Sequence, residues 1–201
     1  MNYIASTFFD EEEWNKNGLN WVRHAKSASL NAIIIGKNLP DDAIEKINEL
    51  NFTYVPLIEK FKTDNNVMYT LVHSLPKASR CLWTNPDVLP KAGLETQADL
   101  LCGTTKTSVY QIAESVVNLH DRAAMIESLR ENIYKTHNCY LSSSYMLGTT
   151  DFYYGFAGCR AYLFGKGYLN GNKYSNDLVL NFFVAFVNSY SVEVRDYYGN
   201  S

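Results

Sequence analysis

Residues 31–37, NAIIIGK, form an apolar run between an asparagine and a glycine–lysine pair, and no other stretch restricts the fold as much. A strand with one face in water alternates apolar and polar side chains. A run that is apolar at successive positions is covered on both faces, the condition of a strand inside a parallel sheet. The flanking segments agree. YIASTFF (3–9) is a β-rich run ending at Asp10, whose side chain suits the cap of a helix with Glu11, Glu12 and Glu13 in its first turn, against the positive end of the macrodipole. Trp14, Leu19 and Val22 then recur at helix-like spacing up to about Ala28. After the run, LPDDAIEKINEL reads as a short helix with Ala43, Ile44, Ile47 and Leu50 inward, and FTYVPLI (52–58) as another strand. Strand, helix, strand, helix, strand in this order predicts a doubly wound α/β fold with a mostly parallel sheet.

The pattern continues with a helical stretch at 66–78 leading into a strand at Cys81, Leu82 and Trp83, and ADLLCGT (98–104) as a further strand. Residues 108–137 carry apolar side chains at helical spacing, broken near Asn118 to Asp121. FYYGFAGCRAYLFG and NDLVLNFFVAFVNSY read as helices, the second preceded by Ser175, and SVEVRDYY closes the chain as an alternating strand. There is no internal repeat and no Pro/Gly-rich linker, so residues 1–201 are expected to form one domain.

Several function classes are disfavoured. The net charge is −3 with the signs interspersed, leaving no basic stripe to neutralise a phosphate backbone, so nucleic acid is not an expected partner. MNYIASTFFDEEEW has no basic stretch ahead of its apolar residues, and no apolar run is long enough to span a bilayer, so the chain reads as cytoplasmic. Cys81, Cys102, Cys139 and Cys159 are too dispersed for a metal knuckle and are expected as free thiols in a well-packed chain. His24, His73, His120 and His137 show no zinc spacing, and neither a P-loop nor a GxGxxG follows a strand.

One segment carries chemistry. In RCLWTNPDVLPKAG (80–93) a buried strand ends on Thr84-Asn85-Pro86-Asp87. Ligands of open α/β sheets bind beyond the carboxyl ends of the strands. If the segment stays extended, Asn85 and Asp87 point the same way, and a carboxylate there is suited to hold a divalent cation against a diphosphate. The alternative is a Pro-stabilised turn whose polar side chains only cap loop amides.

LWTNPDVLP resembles the segment of GT-A type nucleotide-sugar glycosyltransferases that carries their DxD carboxylates, with Asn85 at the first of the two acidic positions. YIASTFFD resembles the family's first strand, YLSSSYMLGTTDFYYGF its N-S-G segment, YSNDLVLNFF its D-D-Q segment, and SVEVRDYYGNS its closing strand. The order and spacing are similar to those of the lysyl-hydroxylase-associated glycosyltransferase domains. The resemblance implies a GT-A-like three-layer α/β sandwich and transfer of a sugar from a nucleotide-sugar donor, such as a UDP-sugar, to a hydroxyl acceptor. It implies donor contacts from Ser6, Thr7, Phe8, Asn85, Asp87, Ser143, Ser144 and Asn176, a manganese or magnesium ion on Asp87 and Asp196, and Asp177 as the catalytic carboxylate.

Alternatives stay open at these positions. Ser6 and Thr7 also fit the end of a strand, Asp177 the first turn of a helix, and Asp196 a solvated position near the end of the chain. Residues 165–172, rich in Gly, Asn and Tyr, suit either a mobile lid or a plain connection. Asn85 at the first acidic position, Ser144 at the glycine of N-S-G and Asn176 at the first acid of D-D-Q leave a second reading of the whole: a degenerate, non-catalytic relative that serves as a nucleotide- or sugar-binding or interaction module.

Overall fold

The computed structural model describes residues 3–60, 66–187 and 189–195. In chain order the elements are β1 (Ile4–Asp10), α1 (Glu11–Glu13), a π-helical turn (Trp14–Gly18), α2 (Leu19–Ser27), β2 (Asn31–Lys37), α3 (Asp41–Glu49), β3 (Thr53–Pro56), α4 (Asn66–Ser74) and β4 (Arg80–Thr84). They continue with β5 (Leu100–Thr104), α5 (Val109–Ala113), α6 (Leu119–Leu129), a second π-helical turn (Arg130–Tyr134) and α7 (Lys135–His137). The remaining elements are β6 (Leu141–Thr149), α8 (Thr150–Gly165), α9 (Ser175–Phe186) and β7 (Val192–Val194).

The strands form one seven-stranded sheet in the order β3-β2-β1-β4-β6-β5-β7. β1, β2, β3 and β4 run parallel, β5 and β7 run parallel to each other, and β6 is inserted antiparallel between β4 and β5. The fold class expected from the sequence is therefore observed.

Period-two alternation explains the layers. On one face Ile33 and Ile35 of β2, Cys81 and Trp83 of β4, and Leu100 and Cys102 of β5 pack with α4, α5, α6, α8 and α9. On the other, Ala32 and Ile34 join Ala5 and Phe9 of β1 against Trp21 and Val22 of α2 and Ala43 and Ile47 of α3. Leu82, Leu101 and Leu147 of β4, β5 and β6 are covered on that second face by Leu94 and Tyr3. All five central residues of β2 are buried, as the apolar run requires.

Two local features bear on the site. Asp10 caps α1 by accepting the Glu13 N–H at 2.9 Å, as its position predicts. The π-helical turn after it was not foreseen. There Gly18 lies under Trp14, where an added Cβ would meet the indole at 2.3 Å. No helix among the described residues is long and apolar enough to cross a membrane.

Candidate functional site

Because β1 to β4 are parallel, their carboxyl ends share one edge of the sheet, and a cleft of about 740 Å³ opens there. That size suits a small organic ligand, whose pockets run to roughly 300–1,000 Å³. Asp10 and Lys37, the last residues of β1 and β2, line it, with Glu59 beyond β3 and Asn85 beyond β4. Phe8 and Trp83 form its apolar floor. α8 contributes Arg160 and Phe164, and the approach to α9 contributes Lys173, Ser175 and Asn176.

Arg160 is the buried cation of this wall. It is 6 % exposed although it is charged. A buried charge is tolerated only when hydrogen-bonded or paired. Its Nε–H donates to Asn176 Oδ1 at 2.9 Å, and its guanidinium carbon lies 4.6 Å from the centre of the Phe164 ring. Lys37 pairs with Glu59 at 3.0 Å. Lys173 sits 4.9 Å from the centre of the Tyr174 ring.

Of the residues singled out in the sequence, Phe8, Asn85 and Asn176 line this cleft. Ser6 and Thr7 do not, because β1 is internal to the sheet and both are fully buried. The Ser6 hydroxyl donates to the Ile33 carbonyl at 2.8 Å. Thr7 faces the opposite side of the sheet among Ala5 and Phe9, and its hydroxyl has no hydrogen-bond partner.

The extended reading of residues 84–87 gives way to the turn. Val88 N–H donates to the Asn85 carbonyl at 3.0 Å, closing a turn with Pro86 at the position where its fixed φ is preferred. The turn parts the two side chains: Asn85 lines the cleft, whereas Asp87 is exposed and does not.

Ser143 and Ser144 lie behind the cleft. Asn85 N–H donates to the Ser144 carbonyl at 2.8 Å, and the Ser142 and Ser144 hydroxyls are 2.8 Å apart. Asp177 is not among the residues lining the cleft either. Its Oδ1 accepts the Ser143 N–H at 2.7 Å and the Ser143 hydroxyl at 2.6 Å. Burial raises its carboxyl pKa, opposed by the hydrogen bonds from Ser143 and the Thr105 hydroxyl. One turn on, fully buried Asn181 pairs with both backbone groups of Leu141. Four residues of helix rise about 6 Å and two of strand about 6.8 Å, so 177/181 on α9 match 143/141 on β6. Asp196 falls outside the described residues.

Hydrogen bonds tie the region 165–172 to residues 115–117. Val117 N–H donates to the Tyr168 carbonyl and Asn170 N–H to the Ser115 carbonyl, each at 2.9 Å. Asn172 Oδ1 accepts the Ser115 hydroxyl and the Tyr174 N–H. Among the tyrosines around this region, Tyr153 is fully buried, and Tyr154, Tyr162 and Tyr168 are exposed and do not line the cleft.

A divalent cation bridging a diphosphate needs hard oxygen ligands, usually with one or two carboxylates. At the end of β4 the cleft receives a neutral amide from Asn85 and no carboxylate from Asp87. The two carboxylates on the cleft wall are engaged elsewhere, Asp10 as the cap of α1 and Glu59 with Lys37. No three His, Cys, Asp or Glu side chains converge among the described residues. The residues described there do not fit the cation that the resemblance implies.

The cleft charges that sequence reasoning missed each had a faint signal. Asp10 and Lys37 end strands on the carboxyl edge, and Arg160 is the only charged residue of α8 besides Asp151 in its first turn.

Comparison with known proteins gives the fold its place. No protein-family model and no curated protein sequence matches the chain. Among solved structures, the glycosyltransferase GlyE of Streptococcus pneumoniae superposes with a TM-score of 0.59 at 8 % identity over 97 % of this chain and 45 % of its own. The galactosyltransferase LgtC, solved with donor and acceptor sugar analogues, gives 0.59 at 10 % identity over 95 % of this chain and 72 % of its own. The 4-diphosphocytidyl-2C-methyl-D-erythritol synthase of Anaerococcus prevotii gives 0.50 at 14 % identity over 97 % and 89 %. This chain thus spans less than half of GlyE. It has the GT-A fold of nucleotide-diphospho-sugar transferases.

Proposed function

We propose that this protein binds a nucleotide-sugar donor in the cleft at the carboxyl edge of β1 to β4 and transfers the sugar to a hydroxyl acceptor. The observation that carries the reading is the buried, cleft-lining Arg160 beside Asn85 and Asn176 in a cavity large enough for such a donor. The likeness of the fold to a galactosyltransferase solved with donor and acceptor analogues supports it. In the reaction the acceptor oxygen bonds to the anomeric carbon and releases its proton. The bond from that carbon to the terminal phosphate oxygen breaks, and its electron pair leaves with the diphosphate. The contribution of the chain is to stabilise that developing charge with fixed donors. Phe8 and Trp83 offer apolar surface to the nucleoside, and Asn85 and Asn176 polar contacts to phosphate or sugar. Asp177 serves as a positioning residue, holding the first turn of α9, and with it Asn176, against Ser143.

A second reading is favoured by that same engagement of Asp177: a relative that keeps the donor pocket and has lost transfer. A thermal-shift panel of UDP, GDP, CDP and their sugars, followed by mass spectrometry of products with simple glycoside acceptors, separates the two. Ligands that bind only the folded state raise its melting temperature. A shift with product supports transfer; a shift without product from any donor supports the binding module; no shift from any of them removes both.

A further inference from the structure

We propose that the solvent face of α8 is the interface of a homodimer, in which the α8 helices of two copies cross antiparallel about a two-fold axis at Gly158.

The exposed residues of α8 are Asp151, Tyr154, Gly158, Tyr162 and Gly165. Their spacing of three, four, four and three keeps them on one stripe of the helix, and it reads the same in both directions. The solvent face of a surface helix is ordinarily charged or polar. This one has a single charged residue, in its first turn, and two tyrosines that are each more than half exposed. Tyr168 extends the face, its ring centre 6.4 Å from that of Tyr162. Exposed Val117 follows, its N–H donating to the Tyr168 carbonyl at 2.9 Å.

The symmetry of the stripe selects the occupant. A two-fold axis at Gly158 sets each Tyr154 against Tyr162 of the other copy, about 6 Å along the helix on either side of the crossing. A Cβ added at Gly158 would meet nothing within 4 Å, so the crossing point is open and the helix axes can approach to about 8 Å. The same axis brings Asp151 of one copy towards the end of α8 in the other, where Lys166 is the C-cap. Within the described residues neither Asp151 nor Lys166 belongs to an ion pair. The antiparallel dimer supplies that pair twice and opposes the two helix macrodipoles, whereas a parallel crossing would set acid on acid. Tyr154, Tyr162, Tyr168 and Val117 together expose roughly 400 Å² in each copy, counting an aromatic side chain at about 200 Å². That is the small end of specific interfaces, so the dimer is expected to be weak, with a dissociation constant on the order of 10–100 μM.

The test is sedimentation velocity over about 1–500 μM, a range that brackets that constant, on the wild type and on Tyr162→Lys, Gly158→Ala, Asp151→Lys, Lys166→Glu and the double charge variant. Melting curves are taken for each at the lowest concentration. Tyr162→Lys should weaken association about tenfold or more, because it places a charge in the centre of the contact. Gly158→Ala should weaken it about threefold or more while raising the melting temperature of the dilute protein, since alanine favours an exposed helix and its methyl obstructs only the second copy. A folding defect would move both readouts down. Asp151→Lys and Lys166→Glu should each weaken association about threefold, and the double variant should regain most of the loss. A wild type still monomeric at about 500 μM overturns the proposal, as does a dimer indifferent to Tyr162→Lys and Gly158→Ala, which would have its interface elsewhere. A double variant weaker than either single one overturns the antiparallel crossing. Flotation of a monomeric wild type with phosphatidylcholine–phosphatidylglycerol vesicles, lost in Tyr162→Lys, would give the face to a membrane surface instead and overturn the dimer.

Discussion

Replacing Asp177 separates a structural carboxylate from a catalytic one. In Asp177→Ala the Ser143 N–H, on a residue 8 % exposed, loses its acceptor, and the Ser143 hydroxyl loses it too. An orphaned buried donor costs about 1–3 kcal/mol, and loss of an acid from the first turn of a helix about 0.3–1 kcal/mol. Relief from burying the carboxylate offsets part of this, leaving a loss of about 2 kcal/mol at neutral pH. For a chain of this size that is roughly 4–8 °C in melting temperature. Asp177→Asn retains Oδ1 as an acceptor and removes the buried charge, so it should stay within about 1 kcal/mol of wild type. Urea titration followed by circular dichroism measures both.

The pH dependence supplies an independent check. Burial raises the folded carboxyl pKa above its unfolded value, so as pH falls the folded state takes up the proton first. Stability linked to this group is fully present below the unfolded pKa and is lost as pH rises through the folded one. The wild type should therefore gain on the Asp177→Asn variant as pH drops through that window, then run level with it. An Ala variant as stable as wild type, or a wild type that loses ground to the Asn variant on acidification, would refute the structural role. Abolished transfer in a fully stable Asn variant with intact donor binding would return Asp177 to catalysis.

Three further outcomes follow from other parts of the molecule. Asp87→Asn should change nucleoside diphosphate affinity by less than about twofold in EDTA and in manganese alike, because the turn holds Asp87 out of the cleft; calorimetry showing a manganese-dependent loss would restore it as a ligand. Thr84→Val should cost about 1–3 kcal/mol in urea titration by orphaning the fully buried Trp21 indole N–H, which donates to Thr84 Oγ1 at 2.9 Å, and Thr84→Ser should recover most of it. At pH 8 a disulfide reagent should leave Cys81 and Cys102 unmodified in the folded protein, since burial pushes both thiols far up, and should modify Cys159 only slowly, its pKa being pushed up to about 11; rapid reaction of all four thiols before unfolding would show the sheet to be open.

The sheet was legible because β-strand burial is written locally. NAIIIGK reads as a two-face-buried strand and is one, with the bounds the run suggests. Asn118 reads as a helix break and caps α6 through the His120 N–H. What could not be read is the direction of β6. Nothing in its composition distinguishes a strand inserted antiparallel between β4 and β5 from a parallel one, since the choice is made by pairings distant in sequence. The first π-helical turn was equally silent: Trp14 packs over Gly18 there, a contact that propensity does not report.

The candidate site was half legible for a related reason: local patterns report what backbone polar groups need, and the site is made where those needs are already met. Asp10 was read as a helix cap and is one, yet it also lines the cleft. Asn85 and Asp87 were read either as extended side chains pointing the same way or as part of a Pro-stabilised turn; the turn forms, with the Val88 N–H donating to the Asn85 carbonyl. Closing that turn removed Asp87 from the cleft. The buried cation of the cleft wall is Arg160, 75 residues away in an aromatic helix. Its burial is what marks it. An arginine that is 6 % exposed, donates to Asn176 and lines the cleft stands out only once the chain is folded. That argument requires the position of α8 against the sheet, which no window of sequence around residue 160 contains.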